Sequence, residues 1–313
     1  MLHKLLSLCG QVLGRGKLSI LIYHQVFTER DPMRPSEPDA ATFEWHMRLL
    51  RQYFTPLSLT EASERLKNGT LPANAVCVTF DDGYLNNLTV AAPILKRYQI
   101  PATVYVATAF SHGDNMWNDR IMDLCADQQR DEILLADRKV TLSDWHSRRS
   151  TAIEIIHQFK YLPVTQRLAA VDDLYQRNNA TEYPARMMTP AQLACLSDYD
   201  IEVGAHTHNH PILKVLTAEQ QQAEIQQSKH LLELWLQKPV RHFAYPNGVL
   251  NRDLDEQTIS ITEQAGFNTS VVTDWGYCDK RTPHSQLKRF TPWDSNPLRF
   301  HSRLIANFLK HAN

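Results

Sequence analysis

The sequence predicts an α/β barrel of about seven parallel strands that carries a mostly helical insertion. Short apolar, β-branched segments recur along the chain, and helix-patterned segments stand between them. A long polar stretch at about residues 110–188 interrupts this alternation without supplying a further barrel strand. With 313 residues the chain can bury a sizeable core, so we predict a single domain over residues 1–313 that contains this stretch as an insertion.

Seven segments have the composition of strands that are buried on both faces. Apolar and β-branched residues dominate them, as is typical of parallel strands covered by helices. Seven strands would form a barrel one short of the usual eight. In chain order the segments are Leu18–His24, Val76–Phe80, Ala102–Thr108, Asp200–His206, Arg241–Pro246, Thr269–Asp274 and Leu287–Phe290.

Helical periodicity accounts for the intervals between these strands. Thr60 is predicted to cap the helix Leu59–Asn68, and Thr217 with Gln220 forms a capping box before a long amphipathic helix. Further helices are predicted at Phe43–Tyr53, Leu88–Tyr98 and Leu254–Gly266, and within the insertion at Arg120–Cys125, Ser150–Phe159 and Thr165–Arg177.

Charge and cysteine content exclude some classes of function. The 33 lysines and arginines nearly balance the 34 acidic residues, so no basic surplus is available to bind a nucleic-acid backbone. The five cysteines are scattered and lack metal-site spacing, which favours a reducing compartment over a disulfide framework. We therefore expect a cytoplasmic protein that binds no nucleic acid.

The N-terminal segment Met1–Arg15 is rich in leucine but is interrupted by polar residues. It lacks the sustained apolar core of a signal peptide and is too short to span a bilayer. As a helix it would carry several apolar side chains, which either pack on the core of the chain or contact a partner or membrane surface. Peripheral membrane contact through residues 1–15 is therefore one expectation, and the oligomeric state is left open.

Titratable or turn-forming residues stand where the predicted strands end. His24 ends the first strand, Asp81 and Asp82 follow the second, and His206 ends a later one. In parallel α/β barrels the carboxyl ends of the strands form the rim where catalytic groups gather. Two further strands end in Tyr245-Pro246-Asn247-Gly248 and in Asp274-Trp275. This convergence predicts a functional site at the rim.

A metal site is the chemistry that these residues suggest. His206 and His210 with Asp82 make a set of two histidines and one carboxylate, which leaves coordination positions for water. Such a set suits a hydrolytic Zn²⁺, with Co²⁺, Ni²⁺, Mn²⁺ or Fe²⁺ as alternatives. Because Gly204 and Pro211 flank the histidines, a strand end that runs into a turn is favoured over a helix. His208 is expected to serve in packing or to support the site indirectly.

Three ordered motifs resemble those of the polysaccharide deacetylase family, carbohydrate esterase family 4. Thr79-Phe80-Asp81-Asp82-Gly83 is similar to its first motif and His206-Thr-x-x-His210 to its second. Arg241-x-Phe243-Ala244-Tyr245-Pro246-x-Gly248 is similar to its third. The resemblance implies a distorted (β/α)7 barrel and a hydrolase that removes acetyl groups from N-acetylated sugars with the help of a metal ion, as in exopolysaccharide biosynthesis.

The resemblance also implies roles for individual residues. Asp81 would be the general base, and Arg241 would pair with it and hold it ionised. The backbone N–H of Tyr245 would complete the oxyanion hole. The fourth motif is incomplete, because Val271 stands where an aspartate is usual and only the Asp274-Trp275 pair remains. The metal ligands would be Asp82, His206 and His210.

The source of the general acid has two alternatives. Leu298-x-x-His301 matches the letters of the fifth motif of the family, but it follows a proline in a predicted terminal helix. Ile22-Tyr23-His24-Gln25-Val26 instead resembles the opening of the permuted branch of poly-N-acetylglucosamine-type deacetylases. In that branch the acid histidine comes from another strand, which makes His24 the first candidate and His301 the second.

The predicted substrate is an N-acetylated glycan. Tyr84, Trp275 and Trp117 could offer apolar faces to sugar rings, although packing explains each of them equally well. The insertion could cover the sugar groove or mediate oligomer contacts. Two alternatives use the same residues: an amidohydrolase that acts on a non-sugar amide, and a catalytically inactive carbohydrate-binding protein.

Overall fold

A computed structural model describes residues 2–310 of the chain. Its parallel strands consist largely of buried apolar residues, and Leu18–Tyr23 and Ala75–Phe80 are buried along their whole length. In chain order the strands are β1 (Leu18–Tyr23), β2 (Thr55–Pro56), β3 (Ala75–Phe80), β4 (Ala102–Val106), β5 (Glu132–Leu134), β6 (Lys139–Thr141), β7 (Ile201–Ala205), β8 (His242–Ala244), β9 (Thr269–Trp275) and β10 (Leu287–Arg289).

Helices separate most of the strands along the chain. In chain order they are α1 (Leu2–Leu13), α2 (Ala40–Tyr53), α3 (Leu59–Asn68), α4 (Ala92–Tyr98), α5 (Trp117–Ala126), α6 (Trp145–Phe159), α7 (Val164–Arg177), α8 (Pro190–Cys195), α9 (Ala218–Leu236), α10 (Glu256–Gln264) and α11 (Pro297–Asn307).

Seven parallel strands curve into a nearly closed barrel. Their order is β1-β3-β4-β7-β8-β9-β10, and the short β2 pairs with the first two residues of β3. A bridge between Leu21 and Phe290 joins the two edges, since the N–H of Ile22 donates to Phe290 O at 3.1 Å and the N–H of Phe290 donates to Ile20 O at 2.7 Å. All seven predicted strands lie in this barrel, so the predicted fold class is confirmed.

Side-chain caps mark the first turn of several helices. Thr217 and Gln220 form the predicted capping box at the start of α9. The predicted cap of α3 is wrong by two residues, because the side chain of Ser58 accepts the N–H of Glu61 at 3.1 Å. Thr60 lies within the first turn, and its hydroxyl is 2.9 Å from His242 Nε2.

The stretch between β4 and β7 contains α5, α6 and α7, as the helical pattern predicts. It also contains an antiparallel β5–β6 hairpin, which was not predicted. Its strands are only three residues long, too short for a clear alternating pattern. The helices share a cluster of buried side chains, including Ile121, Leu124, Ile155, Val171 and Leu174. The assignment of residues 1–313 to one domain with this insertion stays a prediction.

The N-terminal helix α1 lies against α11. Gly10 and Gly14 permit the close contact, because a Cβ at Gly10 would be 2.6 Å from Ile305 Cδ1 and one at Gly14 would be 2.9 Å from Phe308 Cε2. Within residues 2–310, none of the helices combines the length and the apolar content that crossing a bilayer requires.

Candidate active site

A sharp turn after β3 positions two adjacent carboxylates. Asp82 has a φ of 76° and Gly83 a φ of 90°, so the chain reverses within two residues of the strand end. A Cβ at Gly83 would lie 3.2 Å from Val106 Cγ1 of the neighbouring strand, which makes glycine the residue that fits best. The turn directs Asp81 and Asp82 to different partners.

Asp82, His206 and His210 come together as a candidate metal-ligand set. Oδ1 of Asp82 is 3.5 Å from His206 Nε2 and 3.4 Å from His210 Nε2. One ligand atom from each of the three residues lies within 4.8 Å of the others. In a tetrahedral site with bonds of about 2.0–2.1 Å, neighbouring ligand atoms are about 3.3 Å apart, which is close to the spacing found here.

The hydrogen bonds of this set also fit a cation. Oδ1 of Asp82 is buried and has no hydrogen-bond partner among the described residues, an arrangement that is costly without a cation. His206 Nδ1 lies 2.7 Å from Ala244 O, so Nδ1 carries the hydrogen and a neutral ring presents the lone pair of Nε2 towards Asp82. The donor atoms are therefore suited to a divalent metal ion.

The backbone of residues 206–210 brings the second histidine into place. Thr207 and His210 both have positive φ, at 65° and 51°, so this segment is a turn and not a helix. The N–H of His210 donates to Thr207 Oγ1 at 3.1 Å. His208 lies outside the ligand set, with Nδ1 2.9 Å from Thr108 Oγ1.

Electrostatics hold Asp82 and His210 in the protonation states that bind a cation. Burial opposes ionisation of Asp82, but the neighbouring His206, His210 and His24 rings outweigh it, so the pKa of Asp82 is lowered. Burial lowers the pKa of His210 to about 3. At neutral pH the carboxylate is therefore charged and the His210 ring is neutral.

Asp81 is paired with Arg289 and not with Arg241. Nη1 and Nη2 of Arg289 donate to the two carboxylate oxygens of Asp81 at 2.7 and 2.8 Å, and Nε donates to Val272 O at 3.0 Å. Arg289 is fully buried. Burial alone would raise the pKa of Asp81, but the guanidinium outweighs it and the pKa is lowered.

The predicted pairing with Arg241 is wrong because Arg241 lies at the other end of the barrel. It immediately precedes β8, is exposed, and lines a surface depression with Glu202 and His242 at the amino ends of the strands. The sequence contained a signal for the correct residue. Arg289 stands at the carboxyl end of β10, as the predicted rim residues do at the ends of their own strands.

His24 faces the carboxylates from the end of β1. Its backbone carbonyl accepts Asn87 Nδ2 at 2.8 Å. Burial would lower the pKa of His24, but Asp82, Glu37 and Asp81 outweigh it and the pKa is raised. Glu37 itself accepts the N–H of Gln25 at 3.2 Å. Sequence reasoning missed Glu37, because it belongs to the irregular segment between β1 and α2.

His301 is excluded as an alternative to His24. It is buried in α11, where Nδ1 is 2.9 Å from His3 Nδ1 and the ring contacts Tyr53 and Phe54. The match of Leu298-x-x-His301 to the family motif is therefore a coincidence of letters, and this histidine packs α1 against α11.

Two other residues assigned by resemblance have structural partners instead. The N–H of Tyr245 donates to Val271 O at 3.3 Å within the β8–β9 pairing, so it is engaged in the sheet. Asp274 accepts the N–H of Leu250 at 2.9 Å and thereby holds the loop after β8. Neither residue lines the cavity above the metal-ligand set, and Asn247 does. Within residues 2–310, no hydrogen bond of the Asn247 backbone N–H is found.

The aromatic residues predicted to contact sugar rings are dispersed. Tyr84 lines the cavity, and its hydroxyl donates to Asp119 Oδ2 at 2.7 Å. Trp117 is buried in the core of the helical stretch. Trp275 packs against Trp293 and Phe290 on the outside of the barrel, with ring centroids 4.8 and 5.6 Å away. The prediction that Trp117 and Trp275 line the substrate site is therefore wrong.

A cavity of about 730 Å³ opens above the two carboxylates. Six of the seven barrel strands contribute residues at or beyond their carboxyl ends. The walls above them come from residues 25–37 and from α5 and α6, including Asn118, Met122, Arg149 and Ile153. Arg34 ties these two walls together through Asp119 at 2.7 Å and Asp123 at 3.4 Å.

Comparisons with known proteins agree with this geometry. The family model described as "Polysaccharide deacetylase" matches residues 68–142 and 164–270. YxkH of Bacillus subtilis (strain 168), which carries the name of a polysaccharide deacetylase, is 23% identical over 264 residues. The match covers 83% of this chain and 66% of that relative, so this chain spans just under two thirds of the relative's length.

Solved structures show the same fold. The Streptococcus pyogenes deacetylase PplD, in complex with acetate, superposes with a TM-score of 0.62 at 20% identity, covering 93% of this chain and 98% of PplD. IcaB from Ammonifex degensii gives a TM-score of 0.58 at 18% identity, covering 92% of this chain and 96% of IcaB. At these identities the likeness establishes the fold and leaves the activity to be argued from the site.

Proposed function

Because this chain belongs to the polysaccharide deacetylase family, we propose that it removes N-acetyl groups from an N-acetylated sugar or polysaccharide with the help of a divalent metal ion. The observation that carries the proposal is the joint placement of Asp82, His206 and His210 beside an ionised Asp81. A metal-ligand set next to a buried base is one arrangement that supports hydrolysis of an unactivated amide.

Asp82, His206 and His210 would hold the metal, with Zn²⁺ as the proposed occupant and Co²⁺, Ni²⁺, Mn²⁺ or Fe²⁺ as alternatives. When bound, such a cation supplies Lewis-acid chemistry towards an acetamide carbonyl and makes water more acidic. The turn at Thr207 and the bond from His206 to Ala244 O fix the directions of the two rings.

Asp81 is the proposed general base. Arg289 holds both of its oxygens, which keeps the carboxylate ionised and fixes its orientation. A base held this way accepts the proton of an attacking water without a change in side-chain position. Arg289 thus does for Asp81 what the family resemblance implied for Arg241: it pairs with the carboxylate and keeps it ionised.

His24 is the proposed general acid. An amide nitrogen is a poor leaving group until it is protonated, and the raised pKa of His24 favours the protonated ring that can donate this proton. The oxyanion that develops on the acetyl carbonyl needs a donor at the cavity wall. The backbone N–H of Asn247 is the proposed donor, since Asn247 lines the cavity and the N–H of Tyr245 is engaged in the sheet.

The proposal is tested with protein that has been stripped of metal and refilled with Zn²⁺ or Co²⁺. We expect about one metal per chain and metal-dependent release of acetate from N-acetylglucosamine oligomers. His210→Ala should lose both metal and activity, whereas His208→Ala, in the same turn, should keep both. His24→Ala should keep the metal and lose acetate release.

Three results would contradict parts of the proposal. Equal metal content in His210→Ala and His208→Ala would contradict the assignment of His210 as a metal ligand. Full activity in His24→Ala would contradict the assignment of His24 as the general acid. Stoichiometric metal without acetate from any oligomer would favour a non-sugar amide substrate or an inactive glycan-binding protein, and glycan binding by the same samples would separate these two.

A further inference from the structure

The helix α1 is held in place by one face only. Its inner face is defined by the close contacts of Gly10 and Gly14 with the body of the protein. Polar bonds fix the register, because His3 meets His301 at 2.9 Å and Asn74 Nδ2 donates to Ser7 O at 3.3 Å. Beyond the helix, Lys17 Nζ donates to Phe308 O at 2.7 Å. The orientation of α1 is therefore set, and its opposite face is directed outward.

That outward face is apolar. Leu2, Leu5, Leu8 and Val12 follow the three- and four-residue spacing that aligns side chains along one side of a helix. Their exposed fractions are 50%, 57%, 59% and 69%. Leu309, next to the residue that Lys17 contacts, is 61% exposed. We refer to the four α1 side chains together with Leu309 as the α1 patch; several exposed apolar side chains in one region are typical of an interaction surface.

The charged residues near the α1 patch indicate which kind of surface it would bind. The segment of residues 1–28 contains no Asp or Glu, and neither does α11. The basic residues that flank the α1 patch are Lys4, Arg15 and Lys310. The chain as a whole has a formal charge of −1, so the positive charge at this face is a local feature.

We propose that the α1 patch docks this protein on the surface of a membrane that contains anionic phospholipid. Apolar side chains along one helix face, with cations beside them in segments that contain no Asp or Glu, are the composition of helices that lie in the lipid interface. A second copy of the chain fits less well. In a two-fold dimer the same patch faces itself, so the flanking cations would be brought against cations.

This proposal does not depend on the deacetylase assignment. It adds to that assignment a location: a membrane-bound enzyme would act on glycan that is held close to the bilayer, and residues 1–15 would have a role outside the core. The binding test below needs neither metal nor substrate, so failure of one proposal leaves the other intact.

The test is co-sedimentation of the full chain with phosphatidylcholine vesicles and with vesicles that also contain phosphatidylglycerol. We expect binding to the anionic vesicles, at least about tenfold weaker binding to pure phosphatidylcholine, and loss of binding in 0.5 M salt as the charges are screened. Leu5→Glu with Leu8→Glu should reduce binding at least about tenfold.

A matched control separates the patch from the added charge. Val215 and Leu234 are 52% and 55% exposed and lie outside the patch, so Val215→Glu with Leu234→Glu makes the same change in net charge. This control should bind as the parent does. Leu5→Gln with Leu8→Gln, which adds no charge, should bind as weakly as the glutamate pair, and circular dichroism establishes that all variants are folded.

Three outcomes overturn the proposal. The first is failure of the parent chain to bind anionic vesicles at low salt. The second is equal binding by the patch variants and the control. The third is dimerisation of the parent that is lost in the Leu5 and Leu8 variants without any vesicle binding, which would make a second copy of the chain the occupant of the patch.

Discussion

Asp81 and Arg289 form an ion pair whose strength comes from burial and from two parallel hydrogen bonds. Both groups are removed from water, so each depends on the other for compensation of its charge. A guanidinium can hold both carboxylate oxygens at once, whereas a lysine ammonium is a point charge. The pair therefore fixes the orientation of the proposed base as well as its ionisation.

We predict that Arg289→Gln lowers kcat/KM about 100-fold or more, because Asp81 loses the charge that keeps it ionised. With burial opposed only by His206 and His24, the pKa of Asp81 rises, so the acidic limb of the activity profile should move to higher pH. Removing one partner of a buried pair should also cost about 3 to 5 kcal/mol of stability, measured by urea denaturation. Arg289→Lys should restore stability more than activity.

The control for this prediction is Arg241→Gln, the same chemical change at an exposed arginine at the other end of the barrel. Its activity should stay within about twofold of the parent, as is usual for surface positions. If Arg241→Gln loses activity while Arg289→Gln retains it, the pairing seen in the structure has no part in catalysis.

At the scale of secondary-structure elements, packing between neighbouring strands determines which residues are tolerated. Gly204 in β7 lies opposite Tyr105 in β4. A Cβ at position 204 would be 2.5 Å from Tyr105 Cδ1 and 2.9 Å from the backbone oxygen of His242. Gly204 thus leaves room for the buried ring of Tyr105. It stands two residues before His206, one of the proposed metal ligands.

We predict that Gly204→Ala destabilises the protein by about 1 to 3 kcal/mol, because the methyl group overpacks a position bounded by a ring and a backbone atom. The matched control is Gly276→Ala, whose Cβ would meet the aliphatic part of the Lys288 side chain at 2.9 Å. The Lys288 side chain has several rotatable bonds and yields more readily than a ring or a backbone atom. The free energy of unfolding should therefore change by no more than about 0.5 kcal/mol. Equal effects in urea denaturation would show that the Tyr105 contact is not limiting.

At the scale of the whole molecule, buried histidines couple folding to pH. Burial lowers the pKa of His46, of His242 and of His301, in each case to about 4. In the unfolded chain these rings titrate near the usual value of about 6.5. Between these two values the unfolded state binds protons that the folded state does not, so stability should fall as pH decreases from about 6.5 to about 4.

The contribution of one histidine can be isolated at His46, which lies within hydrogen-bonding distance of the Tyr23 hydroxyl and Asp294 O. We predict that stability decreases by up to about 1.4 kcal/mol per pH unit for each such histidine. In urea denaturation between pH 7.5 and 5, His46→Gln should show a shallower decrease than the parent. His230→Gln, an exposed control, should show the parental slope. A parental slope in His46→Gln would contradict this coupling.

Much of the site followed from local sequence. The positions of Asp81, Asp82, His206 and His210 at strand ends could be predicted, because an apolar segment followed by polar residues marks where a buried strand stops. The turn after β7 could also be predicted, since glycine and proline flank the histidines. These features depend on neighbours within a few residues, which the sequence displays directly.

The contacts between distant strands could not be predicted from local sequence, because they form only when the barrel closes. Arg289 and Asp81 are 208 residues apart, and they meet only because β10 joins β1 at the edge of the sheet and directs a side chain across the interior. A motif that contains an arginine cannot show at which end of the barrel the side chain lies, which is why Arg241 was assigned wrongly. The same holds for Trp275, whose direction out of the barrel depends on strand register.

The sequence by itself determined the class of fold, the seven strands, the residues of the candidate metal site and the family, since each is encoded in composition and short-range order. Only the tertiary structure decided which arginine pairs with the base, that His24 and not His301 faces the carboxylates, and which face of α1 is left exposed. These are contacts between distant segments, and their geometry is set by how the strands and helices pack together and not by the residues that adjoin them in the chain.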